Sequence, residues 1–183
     1  MAQRRHHYER AFEEYLRSRR IPYVSVDEAR KALIPDHVPF RLPPSTPGGP
    51  ASSLKSFDFV IYGQDGNLLI DIKGRRVAPR GRMRASGDGN VKLAPAPRSR
   101  LESWVTLEDI ESLKHWQRLF GSEFQAAFVF VYWCVEQPPD ALFQEIFEYR
   151  GRWYALRAVT LDAYTGVMKQ RSVRWRTVDI PSA

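Results

Sequence analysis

Two aspartates set inside strand-like runs constrain this chain more than any other feature. SFDFVIY (Ser56 to Tyr62) and NLLIDIK (Asn67 to Lys73) are apolar and β-prone, and the turn-like GQDG between them makes a β-hairpin. Strand interiors disfavour aspartate, yet Asp58 sits between two phenylalanines and Asp71 between two isoleucines. Side chains alternate along a strand, so Asp71 and Lys73 project from one face while Leu68, Ile70 and Ile72 line the other. The hairpin brings Asp58 alongside. Two partly buried carboxylates repel, and one pKa rises unless a cation intervenes. Oxygen ligands of this kind suit Mg2+, with Mn2+ as a substitute, better than zinc. Lys73 beside them could orient an attacking water and stabilise charge building on a phosphate. An Asp71–Lys73 ion pair without metal would account for DIK alone. The second aspartate, thirteen residues earlier on the adjoining strand, shifts the balance towards a site.

The rest of the chain supplies a frame for that hairpin. Tyr8, Ala11, Phe12, Tyr15 and Leu16 recur at helical spacing and predict a helix over His7 to Arg19, stopped by Pro22. YVSV (Tyr23 to Val26) reads as a short strand. The stretch from Ile34 to Ser53 is rich in proline, glycine and serine and reads as a loop. A second helix opens at Thr106, where TLED has the form of a capping box, and Gly121 ends it. FQAAFVFVYWC (Phe124 to Cys134) is nearly all apolar, as a strand covered on both faces must be. FEYRGRWYALRAV is a second hairpin turning at Arg150-Gly151, LDAYTGVMKQRS a short helix, and VRWRTVDI a final strand. The expected architecture is mixed α/β: one central sheet flanked by helices, in a single domain spanning 1–183. A Pro/Gly/Ser-rich loop covers 35–55 and a basic loop 74–104.

Charge is concentrated. Net charge is +7, and between Gly74 and Arg100 eight cations (Arg75, Arg76, Arg80, Arg82, Arg84, Lys92, Arg98, Arg100) face one acid, Asp88, so this segment carries the whole excess. Such a segment can neutralise backbone phosphates and release their counterions, or serve as a solvated loop that aids solubility. The single cysteine, Cys134, can form neither an internal disulfide nor a cysteine zinc cluster, which points to a reducing, cytoplasmic compartment. No segment has the length or apolarity to cross a membrane, and the N-terminus lacks a signal-peptide apolar stretch.

SFDFVIYGQDGNLLIDIKGRR resembles the bipartite PD-(D/E)xK signature of the restriction-endonuclease-like nucleases, with serine and phenylalanine where the family has its proline. The order of helix, three strands, helix and strand resembles that superfamily's αβββαβ core, here with a C-terminal β-hairpin extension. Within it the archaeal Holliday-junction-resolvase branch is nearest in pattern: YERAFEEYLRSRR places Glu9-Arg10 and Leu16-Arg17 at that branch's spacing. The resemblance spans roughly residues 7 to 133. It implies a metal-dependent nuclease cutting DNA phosphodiesters, structure-selective or non-specific, with RNA as a possible substrate and a homodimer as a possible assembly. Glu9, Asp58 and Asp71 would hold Mg2+, Lys73 would assist the water, and Gln117 would be the accessory polar residue on the helix after the motif. Arg75, Arg76, Arg80, Arg82, Arg84 and Lys92 would contact nucleic acid. On a helical wheel Glu9 lies at the edge of the apolar stripe, with Glu13 as the alternative carboxylate. The competing expectations are a catalytically inactive module that binds nucleic acid and an assembly protein using its apolar strands.

Overall fold

A computed structural model describes residues 6–27, 29, 41–42, 52–77, 101–138 and 143–180. The first helix, α1, runs His6–Ser18, and the second, α2, Leu107–Phe120. Thr106 caps α2: its hydroxyl accepts from the Asp109 N–H while the Asp109 carboxylate accepts from the Thr106 N–H, so the capping box read from TLED is complete. A short third helix, α3, covers Leu161–Val167.

Eleven strands accompany these helices among the described residues. They are β1 (Tyr23–Ser25), β2 (Arg41–Leu42), β3 (Ser52–Ser53), β4 (Phe59–Gly63), β5 (Gly66–Val77) and β6 (Val105–Thr106), then β7 (Phe124–Cys134), β8 (Glu145–Tyr149), β9 (Arg152–Thr160), β10 (Lys169–Ser172) and β11 (Thr177–Asp179). Six form the main sheet in the order β1-β4-β5-β7-β9-β8. Only β5 and β7 run parallel; the other pairs are antiparallel. A three-stranded sheet, β10-β11-β6, joins the C-terminal region to the entry of α2. β2 and β3 pair with each other. The protein is thus mixed α/β, a large curled sheet flanked by helices.

Alternation sorts the core into two layers. Ile70, Ala127, Val129 and Val131 turn to one face and bury Ala11, Phe12 and Leu16 of α1, with Leu68 and Ile72 packed alongside. Leu69, Phe128, Phe130 and Tyr132 turn to the other, against Ile110 and Leu113 of α2 and Leu161 and Tyr164 of α3. β7 is central and covered on both faces, which is why it carries no charged residue.

Four expectations needed correction. Within the 35–55 segment read as a loop, Arg41–Leu42 and Ser52–Ser53 pair as strands. Of LDAYTGVMKQRS only Leu161–Val167 is helix, while Lys169–Ser172 is strand β10, held by its pairing with β11. The basic segment does not begin as a loop, because Gly74 to Val77 continue β5 and pair with Val131 to Cys134. Parallel pairing along all of β7 outweighs the local glycine and arginine. Nor is VRWRTVDI a strand throughout: only Thr177–Asp179 is, and Val173 to Arg176 form the turn from β10. No helix among the described residues is long and apolar enough to cross a membrane.

Candidate active site

β4 begins only at Phe59, opposite Ile70, so β5 continues past its partner and the Asp58 bend sits at the opening. The backbone fixes this bend on both sides: Asp58 N–H donates to the Ile70 carbonyl at 2.8 Å, and its carbonyl accepts from Val26 N–H at 2.9 Å. Its carboxylate accepts the Ile72 N–H at 2.6 Å, the first β5 donor beyond the ladder that needs a partner. Asp58 therefore lies next to Asp71, as the hairpin requires. Burial, the charge of Asp71 and the charge of Glu9 push the Asp58 carboxyl up to about 8, against the pull of the Ile72 N–H and Lys73. Asp71 is raised too, by burial, with Lys73 opposing.

Lys73 projects from the same face as Asp71, and its Nζ lies 2.9 Å from Asp71 Oδ2. The same ammonium is 3.4 Å from Asp109 Oδ2, and Lys55 Nζ is 2.9 Å from Asp109 Oδ1. Lys55 also meets Glu108 at 2.9 Å and the Thr106 hydroxyl at 3.3 Å. Burial alone would raise Asp109, but Lys73, the Thr106 N–H and hydroxyl, and Lys55 hold it down at about 2. The site is thus a chain of alternating charge, Asp71–Lys73–Asp109–Lys55, strung from the sheet to the start of α2. Neighbouring carboxyls are driven in opposite directions, which is a mark of functional sites.

Asp109 and Lys55 went unrecognised in the sequence. Asp109 was legible as a cap, and its second role depends on α2 entering directly over β5. Lys55 is held by the Ser112 hydroxyl on its N–H and by Trp116 Nε1 on its carbonyl, contacts that no local spacing encodes.

The remaining candidates divide. Glu9 lies near enough for its charge to act on Asp58. Glu13 is engaged elsewhere, accepting from Arg17 at 2.9 Å and from the Tyr23 hydroxyl at 2.8 Å. Gln117 lies in the last turn of α2, the opposite end from Asp109, where its side-chain Oε1 accepts the Ala126 N–H at 2.6 Å and fastens the helix to β7. Arg75 is largely withdrawn from solvent: its guanidinium stacks 4.3 Å from the Trp104 centroid and donates to the Trp104 carbonyl, and burial pulls its pKa down. Arg76 is exposed and lies 4.8 Å over Trp133, a ring it shares with Arg152 at 4.9 Å. Arg80, Arg82, Arg84 and Lys92 lie outside the described residues.

Among the described residues no group of three or more His, Cys, Asp or Glu side chains converges as a metal site. Two carboxylates do converge, and both have raised pKa values that a cation would relieve. That donor set fits Mg2+, which keeps several waters and takes one or two carboxylates beside substrate phosphate.

No protein-family model matches the sequence, and no curated protein matches it. Among solved structures the chain is similar to a Holliday junction resolvase from the archaeal hyperthermophile Archaeoglobus fulgidus, at 12% identity and a TM-score of 0.34, over 87% of this chain and 89% of that one.

Proposed function

We propose that the protein is a Mg2+-dependent nuclease of the PD-(D/E)xK type that hydrolyses DNA phosphodiester bonds. The observation that carries this reading is the pair of part-buried carboxylates, Asp58 and Asp71, with Lys73 beside them at the mouth of the sheet. Asp58 and Asp71 would hold the cation, and Glu9 stands nearby to take a water. Bound there, Mg2+ would screen the phosphate's charge and make a water more acidic. Lys73 would shift its ammonium away from Asp71 while keeping Asp109 as its counter-ion, and so point towards the scissile phosphate. Lys55 holds the other oxygen of Asp109 and keeps that carboxylate from turning.

The test is cleavage of branched, linear and single-stranded DNA with Mg2+ or Mn2+. Asp71→Ala should abolish it, and Lys73→Ala should lower kcat by about 100-fold or more. Unchanged cleavage in either variant would overturn the assignment. A second reading, a nucleic-acid-binding module without catalysis, draws support from the absence of a three-acid cluster among the described residues. DNA binding that survives Asp58→Ala, with no cleavage under any metal, would select it. A homodimer would bring two such sites to two strands, and sedimentation with and without a DNA junction would reveal it.

A further inference from the structure

Val173 and Trp175 are the most exposed large apolar side chains among the described residues, at 75% and 69%. Both sit in the β10–β11 turn, Val173-Arg174-Trp175-Arg176. The turn is well braced. Arg176 N–H donates to the Val173 carbonyl at 3.1 Å, Trp175 N–H donates to the Ser172 hydroxyl at 3.3 Å, and Arg176 takes a positive φ of 47°. Holding an indole in water on a fixed turn leaves its apolar surface unburied, so folding alone gives no reason for it.

The turn's position gives one. The Arg176 backbone carbonyl accepts the Leu107 N–H at 2.9 Å, and Thr177 pairs with Thr106, whose hydroxyl meets Lys55. The tip therefore overhangs the start of α2, the end from which Asp109 reaches Lys73. Its charge is one-sided: KQRSVRWR (Lys169 to Arg176) holds four cations and no acid. Arg171 is paired with Glu102, and Arg176 lies 3.7 Å from Glu111. Arg174 instead lies 5.3 Å over the Trp175 ring.

We propose that Trp175 is a stacking platform for an unpaired base of the nucleic-acid substrate, with Arg174 beside it for the adjoining phosphate. An indole with a guanidinium over one face and most of its surface still in water matches a base on an anionic backbone, and the bases of an intact duplex are already stacked on one another. The platform would favour substrates with a single-stranded segment next to the cleavage point. The proposal rests on the nucleic-acid reading of the site.

Equilibrium binding of a labelled single-stranded DNA and of the matched duplex tests it, in EDTA so that nothing is cut. Trp175→Ala should weaken the single strand by at least about fivefold, and Trp175→Phe should restore most of that loss. Duplex affinity should change by less than about twofold, since backbone contacts dominate there. Trp175→Ala that binds the single strand like the wild type would overturn the platform, as would an equal loss on both DNAs. The position is exposed, and a thermal melt confirms that each variant folds. Wild-type protein that shows this binding pattern yet never cuts DNA with Mg2+ would sink the nuclease reading and leave the platform standing. Normal cleavage with unaltered binding in Trp175→Ala would do the reverse.

Discussion

Asp58 and Asp109 stand on either side of the Asp71–Lys73 pair and respond to pH in opposite senses. The folded Asp58 carboxyl titrates at about 8 against an ordinary 3.8, so its favourable contribution is complete below 3.8 and is lost as pH rises through 8. Metal-free Asp58→Asn, which cannot ionise, should therefore melt higher than the wild type at about pH 8 and gain little at about pH 4. Mg2+ should raise the wild-type melting temperature at the upper pH and leave Asp58→Asn unmoved. A wild-type melt indifferent to both pH and Mg2+ would remove the case for a strained carboxylate pair. Asp109 runs the other way. Its pKa is depressed to about 2, so its contribution is present above 3.8 and disappears as pH falls towards 2. Asp109→Asn should cost about 2 kcal/mol at neutral pH by denaturant unfolding, with the deficit vanishing in acid.

The elements explain how closely these residues are held, and how far the chain discloses it. Gly74, directly after the Asp71-Ile72-Lys73 run, is where α1 touches β5: a Cβ there would lie 2.2 Å from Tyr8 Cδ2 and 2.5 Å from its Cγ. Gly74→Ala must push the start of α1, and Glu9 with it, away from the Asp58 bend. We expect a loss of about 1–3 kcal/mol in stability, as for an overpacked core site. In a Tyr8→Ala background the same substitution should cost far less, and an undiminished cost would show that the helix is not the obstacle. Strand alternation and the capping box were legible because each is set within a few residues, and so were β7 and the placement of Asp71 with Lys73. Three features escaped. β5 runs on to Val77 because β7 is there to pair with it, whereas the local composition favours a loop. The VRWR turn alternates like a strand, and only the pairing of Gln170 with Val178 and Ser172 with Thr177 shows the reversal. Lys55 reaches Asp109 across 54 residues of sequence, a distance at which periodicity carries no information.

Over the whole molecule, the excess of positive charge acts through where it is held. Arg76 and Arg152 come from different strands, yet both guanidiniums lie within 5 Å of the Trp133 centroid, at 4.8 and 4.9 Å. No ion pair to either is found among the described residues. Two like charges gathered on one indole repel each other, and a bound phosphate would offset that repulsion. Arg76 stands three residues beyond Lys73 on β5, roughly 10 Å along the strand and facing the α1 side of the sheet. Lys73 turns to the opposite, α2 side, so a phosphate seated at this pair is separate from one that Lys73 would meet. Each arginine that contacts a phosphate adds to the salt dependence of binding, whereas an arginine that only raises the mean charge adds far less. Arg76→Gln and Arg152→Gln should each lower the slope of log K against log salt by about one, and the double variant by about two. Arg118→Gln removes the same charge from the far end of α2 and should leave the slope nearly unchanged. Equal slopes for all of these variants would mean that the protein attracts DNA by its overall charge, with no phosphate seated at Trp133.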